Sequence, residues 1–163
     1  MKLALVFVLV AACGPGSPGG PTMNSHMSSE NVAPVSSSVE SADIMAREPL
    51  ANTATVKHIL VGWKDLAEQY NGHMDPRAEK RTKAEAEAEV RSLVGQLKAG
   101  ADFDTLMKQY SEDTGSASTA RAYTVTPGAE LVVEFRNLSL RLNVGEVGVI
   151  QSDYGFHIIK RLD

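Results

Sequence analysis

The pattern of the chain changes near residue 53, and this change limits the sequence to one folded domain. Residues 14–52 are rich in Gly, Pro, Ser, Asn and Ala, and their scattered apolar residues follow neither the strand period nor the helix period. Such a segment buries too little apolar surface to fold alone, so we predict a flexible tether. Residues 53–163 are regularly patterned, and about 110 residues are enough for one globular core.

The first residues have the organisation of an export signal. Lys2 supplies a positive charge, and Leu3–Val10 form an apolar run that is too short to span a bilayer. Ala11 and Ala12 are the small residues expected before a processing site, and Cys13 follows them. The sequence therefore predicts that the protein is exported.

The segment that ends at Cys13 resembles the lipobox of bacterial lipoproteins. The resemblance implies that residues 1–12 are a signal peptide and that residues 13–52 are a tether lipidated at Cys13. Gly14 is not the aspartate associated with inner-membrane retention, so the expected location is the cell envelope, at the periplasmic face of the outer membrane. The alternative is an apolar terminus with an incidental cysteine.

Charge and cysteine content exclude several kinds of ligand. The formal net charge of −4 argues against a broad basic surface for nucleic acid. Cys13 is the single cysteine, so the chain can form neither an intramolecular disulfide nor a cysteine-based metal site. His26 and His73 lack metal-ligand spacing. We therefore expect a protein or peptide partner, no metal and no cofactor.

One strand and two helices are predicted in the first half of the domain. The β-branched run Val56–Val61 is typical of a buried strand, and the polar stretch Gly62–Arg81 predicts a surface loop. Thr82 and Glu85 can form a capping box that starts a helix, and Asp102 can cap a second helix. Their apolar stripes are Ala86, Val90, Leu93, Val94 and Leu97, then Phe103, Leu106, Met107 and Tyr110.

The second half predicts a short strand, a helix and a hairpin. Ala122–Val125 is the strand, and Thr126-Pro127 supplies a cap and first turn for a helix with Leu131, Phe135 and Leu138 on one face. Gly148–Gln151 and Phe156–Arg161 flank a glycine-containing loop of hairpin length. The order β, α, α, β, α, β, β predicts an α+β fold with helices covering a sheet.

Three segments resemble the parvulin-type (PpiC-like rotamase) peptidyl-prolyl cis-trans isomerases, in family order and spacing. They are Val56–Val61, Ala101–Asp113 and Gly145–Lys160, and the last includes the specific run Tyr-Gly-Phe-His-Ile-Ile-Lys. The resemblance covers about residues 54–163. It implies a four-stranded antiparallel sheet surrounded by helices, with the first and last strands side by side at the centre.

The resemblance also implies a set of site residues. His58 and His157 would hydrogen-bond to each other beneath the substrate, with Asp113 beside them, and Ser152 could hydrogen-bond a histidine. These four residues form the expected catalytic group. The expected substrate-binding residues are Leu131, Phe135, Ala122 and Val125 around the proline ring, and Tyr154 at the rim.

Each assignment has a structural alternative. Leu131 and Phe135 have the spacing of a buried helix face, and two neutral histidines can satisfy each other inside a core. Asp113 can cap a turn in a loop. The stretch Gly62–Arg81 contains four basic residues that would suit phosphate recognition: Lys64, Arg77, Lys80 and Arg81. Acidic residues alternate with them, which favours a solvated loop.

The chain departs from the family in one turn. Parvulins usually carry Gly-Gly-Asp-Leu-Gly before the short strand, whereas residues 116–123 contain no glycine. We therefore expect a rebuilt pocket wall, because glycine accepts positive φ at little cost. The expected function is isomerisation of X-Pro bonds in exported, incompletely folded proteins. The alternatives are a catalytically weak binding module or holdase, and a purely structural envelope lipoprotein.

Overall fold

The computed structural model describes residues 37–163. The predicted signal peptide, Cys13 and the first part of the tether lie outside the described residues. None of the helices within residues 37–163 is long and apolar enough to cross a bilayer.

The described chain contains five α-helices, two 3₁₀ helices and four strands. The helices are α1 Ala42–Met45, α2 Lys83–Lys98, α3 Phe103–Tyr110, α4 Thr114–Ala117 and α5 Val133–Ser139. The 3₁₀ helices are Lys64–Tyr70 and Ala78–Lys80, and the strands are β1 Ala54–Val61, β2 Tyr123–Val125, β3 Val147–Ser152 and β4 Gly155–Arg161.

The four strands form one antiparallel sheet in the order β2-β1-β4-β3. The first and last strands are central, and the predicted fold is confirmed. His58 pairs with Ile159, and Leu60 pairs with His157. Because side chains alternate along a strand, this register places His58 and His157 on the same face as diagonal neighbours.

The sheet separates two apolar clusters. On one face α2 and α3 cover a cluster that includes Ile59, Met107 and Phe156. On the other face α1 and α5 cover a second cluster that includes Val56, Leu138 and Ile159. The histidines share the α5 face, so the packing of α5 sets the shape of their surroundings.

Capping side chains start α2 and α3 where the sequence predicts. Thr82 and Glu85 form both hydrogen bonds of a capping box. The Asp102 carboxylate accepts a hydrogen bond from the Thr105 backbone N–H at 2.8 Å. Each cap supplies an acceptor for an N–H group that the helix itself cannot satisfy, which contributes about 1 kcal/mol.

The β3–β4 hairpin is tighter than predicted. Ser152 pairs with Gly155, so only Asp153 and Tyr154 form the turn. Gly155 has φ +131°, and a Cβ on it would lie 2.6 Å from the Val61 carbonyl oxygen. Glycine is therefore required where the hairpin passes the end of β1.

Two local predictions are wrong. The third helix begins at Val133 rather than at Pro127, because Pro127 and Gly128 form a turn that is closed by the Ala129 N–H and the Thr126 carbonyl. The stretch Gly62–Arg81 is only partly a surface loop, since it contains both 3₁₀ helices. Its buried side chains are Trp63, Met74 and Ala78.

Residues 37–52 pack against the domain instead of belonging to the predicted tether. The Ser41 N–H donates to the Val149 carbonyl, and the Val149 and Gln151 N–H groups donate to the Ser41 hydroxyl and the Glu40 carboxylate. Ile44 is only 4% exposed. These contacts cover the outer edge of β3, and we call residues 37–52 the edge strap.

Candidate active site

The centre of the α5 face holds a chain of polar side chains. His58 Nδ1 and His157 Nδ1 are 3.2 Å apart, and both side chains are buried. His58 Nε2 lies 2.9 Å from Asp113 Oδ2, and His157 Nε2 lies 2.8 Å from the Ser152 hydroxyl oxygen. The four residues expected to be catalytic therefore form one continuous hydrogen-bonded chain.

Matching donors with acceptors assigns the tautomers of both histidines. The ionised Asp113 only accepts, so His58 carries a proton on Nε2, and in the neutral form of this imidazole Nδ1 is an acceptor. His157 must then donate from Nδ1 and accept from the Ser152 hydroxyl at Nε2. The Tyr154 backbone N–H donates to the Ser152 oxygen at 3.1 Å, which completes the chain. His157 is neutral in this arrangement.

Burial keeps His157 neutral. Loss of solvation, with a smaller contribution from the neighbouring His58, lowers the pKa of His157 to about 3, while Asp113 opposes the shift. The imidazole therefore carries no charge at neutral pH. Phe135 packs its ring against both imidazoles, with ring centroids 5.2 Å from His58 and 5.4 Å from His157.

Asp113 is the ionised group of the site. It caps α4, where its Oδ1 accepts from the backbone N–H groups of Gly115 and Ser116. Its Oδ2 accepts from His58, from the Ser116 hydroxyl at 2.6 Å and from the Tyr123 hydroxyl at 2.9 Å. These donors, the His58 imidazole foremost, hold the pKa of Asp113 well below its usual range.

A cavity of about 110 Å³ opens beside the histidines. Its lining residues are His58, Asp113, Tyr123, Leu131, Val132, Phe135 and His157. A cavity of about 150 Å³ admits benzene, so this volume suits the smaller five-membered ring of proline. A larger cavity of about 460 Å³ lies between α1 and α2, but no residue of the histidine chain lines it.

The structure brings together some of the predicted substrate-binding residues and not others. Leu131 and Phe135 line the cavity, whereas Val125 is fully buried in the core and Ala122 is absent from the lining. Ala122 lies just before β2 and is half-buried. The predicted assignment of Ala122 and Val125 to the cavity wall is therefore wrong.

Tyr154 lies at the hairpin turn and outside the cavity lining. Its side chain is 42% exposed, its ring packs edge to face against Tyr70, and its carbonyl accepts a hydrogen bond from the Tyr70 hydroxyl. Burial raises the pKa of Tyr70 to about 12, so this phenol remains a donor at neutral pH. Tyr154 thus links the hairpin to the first 3₁₀ helix.

Tyr123, Val132 and Ser116 are site residues that the sequence did not reveal. Tyr123 could have been found by applying strand alternation from the buried Val125, which places both on the α5 face. Val132 directly precedes α5 and Ser116 lies in the four-residue α4, so neither belongs to a recognisable periodic pattern. Within residues 37–163 no group of three or more His, Cys, Asp or Glu side chains is arranged to hold a metal ion.

The fold and the paired histidines define the parvulin class, and comparison with known families agrees. The family model described as the PPIC-type PPIASE domain matches residues 43–163. The chain belongs to this family of peptidyl-prolyl isomerase domains. The match begins inside the edge strap, at α1.

Similar proteins include foldases and a solved isomerase. The foldase protein PrsA of Geobacillus kaustophilus is 34% identical over 115 residues, which cover 70% of this chain and 41% of that protein. The foldase protein PrsA of Geobacillus sp. (strain WCH70) is 30% identical over 122 residues, covering 74% and 44%. The chain thus spans less than half the length of these relatives.

The peptidyl-prolyl isomerase ESS1 from Candida albicans has a similar fold. It superposes with a TM-score of 0.57 at 19% identity, and the match covers 69% of this chain and 63% of that one. At this identity the likeness supports the fold alone.

Proposed function

We propose that this protein accelerates cis-trans isomerisation of X-Pro bonds in exported, incompletely folded polypeptides. The observation that carries the proposal is the apolar cavity of proline size directly beside the His58–His157 pair. The family membership and the relatives named foldase support the same activity and its role in protein folding. They favour an isomerase over a holdase or a purely structural lipoprotein.

The reaction requires no covalent intermediate. Rotation about the X-Pro bond has a barrier of about 20 kcal/mol because the amide loses resonance when it twists. A catalyst must bind the twisted amide more tightly than the planar one. The proline ring is held on one side of the X-Pro bond by Leu131, Phe135 and Tyr123. The carbonyl group that precedes this bond can therefore rotate relative to the proline ring.

The polar chain supports this rotation without transferring a proton. The rings of His58 and His157 are held by their hydrogen-bond partners, so they form a rigid wall beneath the substrate. Asp113 lines the cavity as a carboxylate and contributes a fixed negative charge near the rotating amide. Because isomerisation neither gains nor loses protons, a fixed electrostatic environment is sufficient.

Refolding of a proline-limited protein tests the proposal. The full chain, held in mild detergent, should increase the rate of a slow refolding phase caused by a trans-to-cis X-Pro step. The faster phases of the same refolding reaction, which involve no isomerisation, are the control and should be unchanged. A slow phase that keeps its uncatalysed rate at equimolar protein would contradict the proposed activity.

The proposed location is the bacterial cell envelope, with lipid attached to Cys13 and residues 1–12 removed. The charged start, the apolar run and the Ala-Ala-Cys sequence support it. Gly14, which stands after Cys13 where inner-membrane retention is associated with aspartate, supports the periplasmic face of the outer membrane as the proposed position of the anchor. Expression of the chain and of Cys13→Ser in a bacterial host tests the anchor, because only the cysteine form should incorporate labelled fatty acid and sediment with membranes.

A further inference from the structure

Arg121 lies beside the cavity on the segment that leads into β2. Its guanidinium carbon is 5.5 Å from the ring centroid of Tyr123, and Tyr123 is one of the residues that line the cavity. The Tyr123 ring is fixed by the hydrogen bond from its hydroxyl to Asp113 and by edge contacts with His58 and Phe135. A rigid aromatic ring therefore holds a cation next to the place proposed for proline.

Arg121 differs from the other arginines in residues 37–163. Each of the others donates a guanidinium hydrogen bond to a side chain or a carbonyl: Arg47, Arg77, Arg81, Arg91, Arg136, Arg141 and Arg161. Within the described part of the chain, the Arg121 guanidinium has neither a hydrogen-bond acceptor nor a carboxylate partner. Arg121 is also exposed to solvent. Its five donors are thus available to an incoming group.

The carboxylate of the site does not occupy these donors. Asp113 accepts from His58, Ser116 and Tyr123 through Oδ2 and from backbone N–H groups through Oδ1. The charges of Arg77 and Arg81, in the loop after β1, are paired with Asp75 and with Glu89 and Glu112. Arg121 is therefore an arginine near the cavity whose guanidinium donors are free to pair with a client.

We propose that Arg121 selects clients that carry an acidic residue next to the isomerised proline. This inference rests on the proposed isomerase function. A carboxylate on a neighbouring residue can accept two parallel hydrogen bonds from a guanidinium, and the match is one of charge as well as shape. Because the pair is exposed, the expected preference is small, about two- to fivefold in kcat/KM, and it weakens with added salt.

Exchange NMR on short peptides tests the preference. Acetylated and amidated peptides Ala-Xaa-Pro-Phe with Glu, Gln or Lys at Xaa are mixed with catalytic amounts of the full chain, and kcat/KM is measured for each. The wild type should favour Glu over Gln by about two- to fivefold and disfavour Lys. A second set of peptides carries Glu, Gln or Lys directly after proline. Comparison of the two sets shows whether the acidic residue is recognised before or after the proline.

Variants assign the preference to Arg121. Arg121→Gln should give the Glu and Gln peptides equal kcat/KM, and Arg121→Glu should give the Lys peptide the highest kcat/KM. Arg91→Gln removes the same charge from the exposed side of α2 and should leave the wild-type preference intact. An equal rate for all peptides in both sets, or an acidic preference that survives Arg121→Gln, would overturn the inference while leaving the isomerase proposal in place. Absence of any accelerated exchange would overturn the isomerase proposal itself.

Discussion

At the level of single residues, Ala120 shows how this chain rebuilds the turn that lacks glycine. Ala120 has φ +51°, in the left-handed region that side chains with a Cβ disfavour. The turn is closed by the Ala120 N–H to the Ala117 carbonyl and by the Arg121 N–H to the Ser116 carbonyl. The backbone therefore keeps a conformation suited to glycine, and Tyr123 and Arg121 follow it directly.

Replacing Ala120 with glycine should stabilise the protein. The left-handed conformation costs alanine about 1 to 2 kcal/mol, and glycine removes this cost. The extra freedom of glycine in the unfolded chain offsets about half of the resulting stabilisation. We expect the free energy of unfolding, measured by urea denaturation, to rise by about 0.5 to 1 kcal/mol. Ala84→Gly, on the exposed face of α2, should lower it by about 1 kcal/mol. A loss of stability in both variants would show that Ala120 is not strained.

The polar chain of the site was predictable only in part from single residues. The segments that contain His58, Asp113 and His157 resemble parvulin motifs, and that resemblance was enough to predict that the three residues lie together. Tyr123 was missed because alternation with Val125 in a three-residue strand indicates only a shared face and no role in the site. Its role depends on a hydrogen bond to Asp113 that the chain forms only after β2 pairs with β1.

At the level of elements, capping residues predicted the helix starts better than composition did. Thr82 and Asp102 located the starts of α2 and α3, because both caps are local interactions within four residues. The start of α5 was misplaced because Val132, its N-cap residue, makes no side-chain cap. The preceding turn is held instead by Arg136, which donates to the Ala129 carbonyl at 2.9 Å.

The edge strap was mistaken for tether because its anchors are non-periodic. Ile44 is its one buried large apolar side chain, and it packs beside Gly148, where an added Cβ would lie 3.2 Å from Ile44 Cδ1. Further anchors are side-chain oxygens of Glu40 and Ser41 on the β3 edge and the ion pair between Arg47 and Glu146. Covering an open sheet edge also removes a template for unwanted strand pairing.

Truncating the Ile44 side chain should show that the strap belongs to the folded domain. Ile44→Ala removes buried methyl groups from the cluster beneath α5 and should lower the free energy of unfolding by about 2 to 4 kcal/mol. Leu50→Ala, in the same segment but 53% exposed, should change it by less than about 0.5 kcal/mol. Equal, small effects of the two substitutions on urea denaturation would mean that the strap does not contribute to the core.

At the level of the whole molecule, the buried histidine makes stability depend on pH. The pKa of His157 is about 3 in the folded protein and near 6.5 when unfolded. Between these values the unfolded state binds a proton that the folded state does not, so the free energy of unfolding falls as pH falls. The low pKa of folded Asp113 extends the loss below pH 4, while the pKa of Glu112, raised by burial, partly offsets it.

Urea denaturation between pH 7 and pH 4.5 measures this dependence. The slope contributed by His157 approaches about 1.4 kcal/mol per pH unit below pH 6. His157→Asn should flatten the dependence, even though the variant is less stable throughout. His73→Asn replaces an exposed histidine and should keep the wild-type slope. An unchanged slope in His157→Asn would show that His157 titrates normally.

The most direct measurement is the cis-trans exchange rate of a proline peptide in the presence of the protein. Exchange spectroscopy on acetylated, amidated Ala-Glu-Pro-Phe should show exchange on the sub-second scale with the wild type, against tens of seconds without it. Phe135→Ala, checked for folding by its NMR spectrum, should lower this acceleration by about tenfold or more, since it removes the ring that contacts both histidines. A folded wild-type protein that binds the peptide and leaves exchange at the uncatalysed rate would contradict the account and identify a binding module instead.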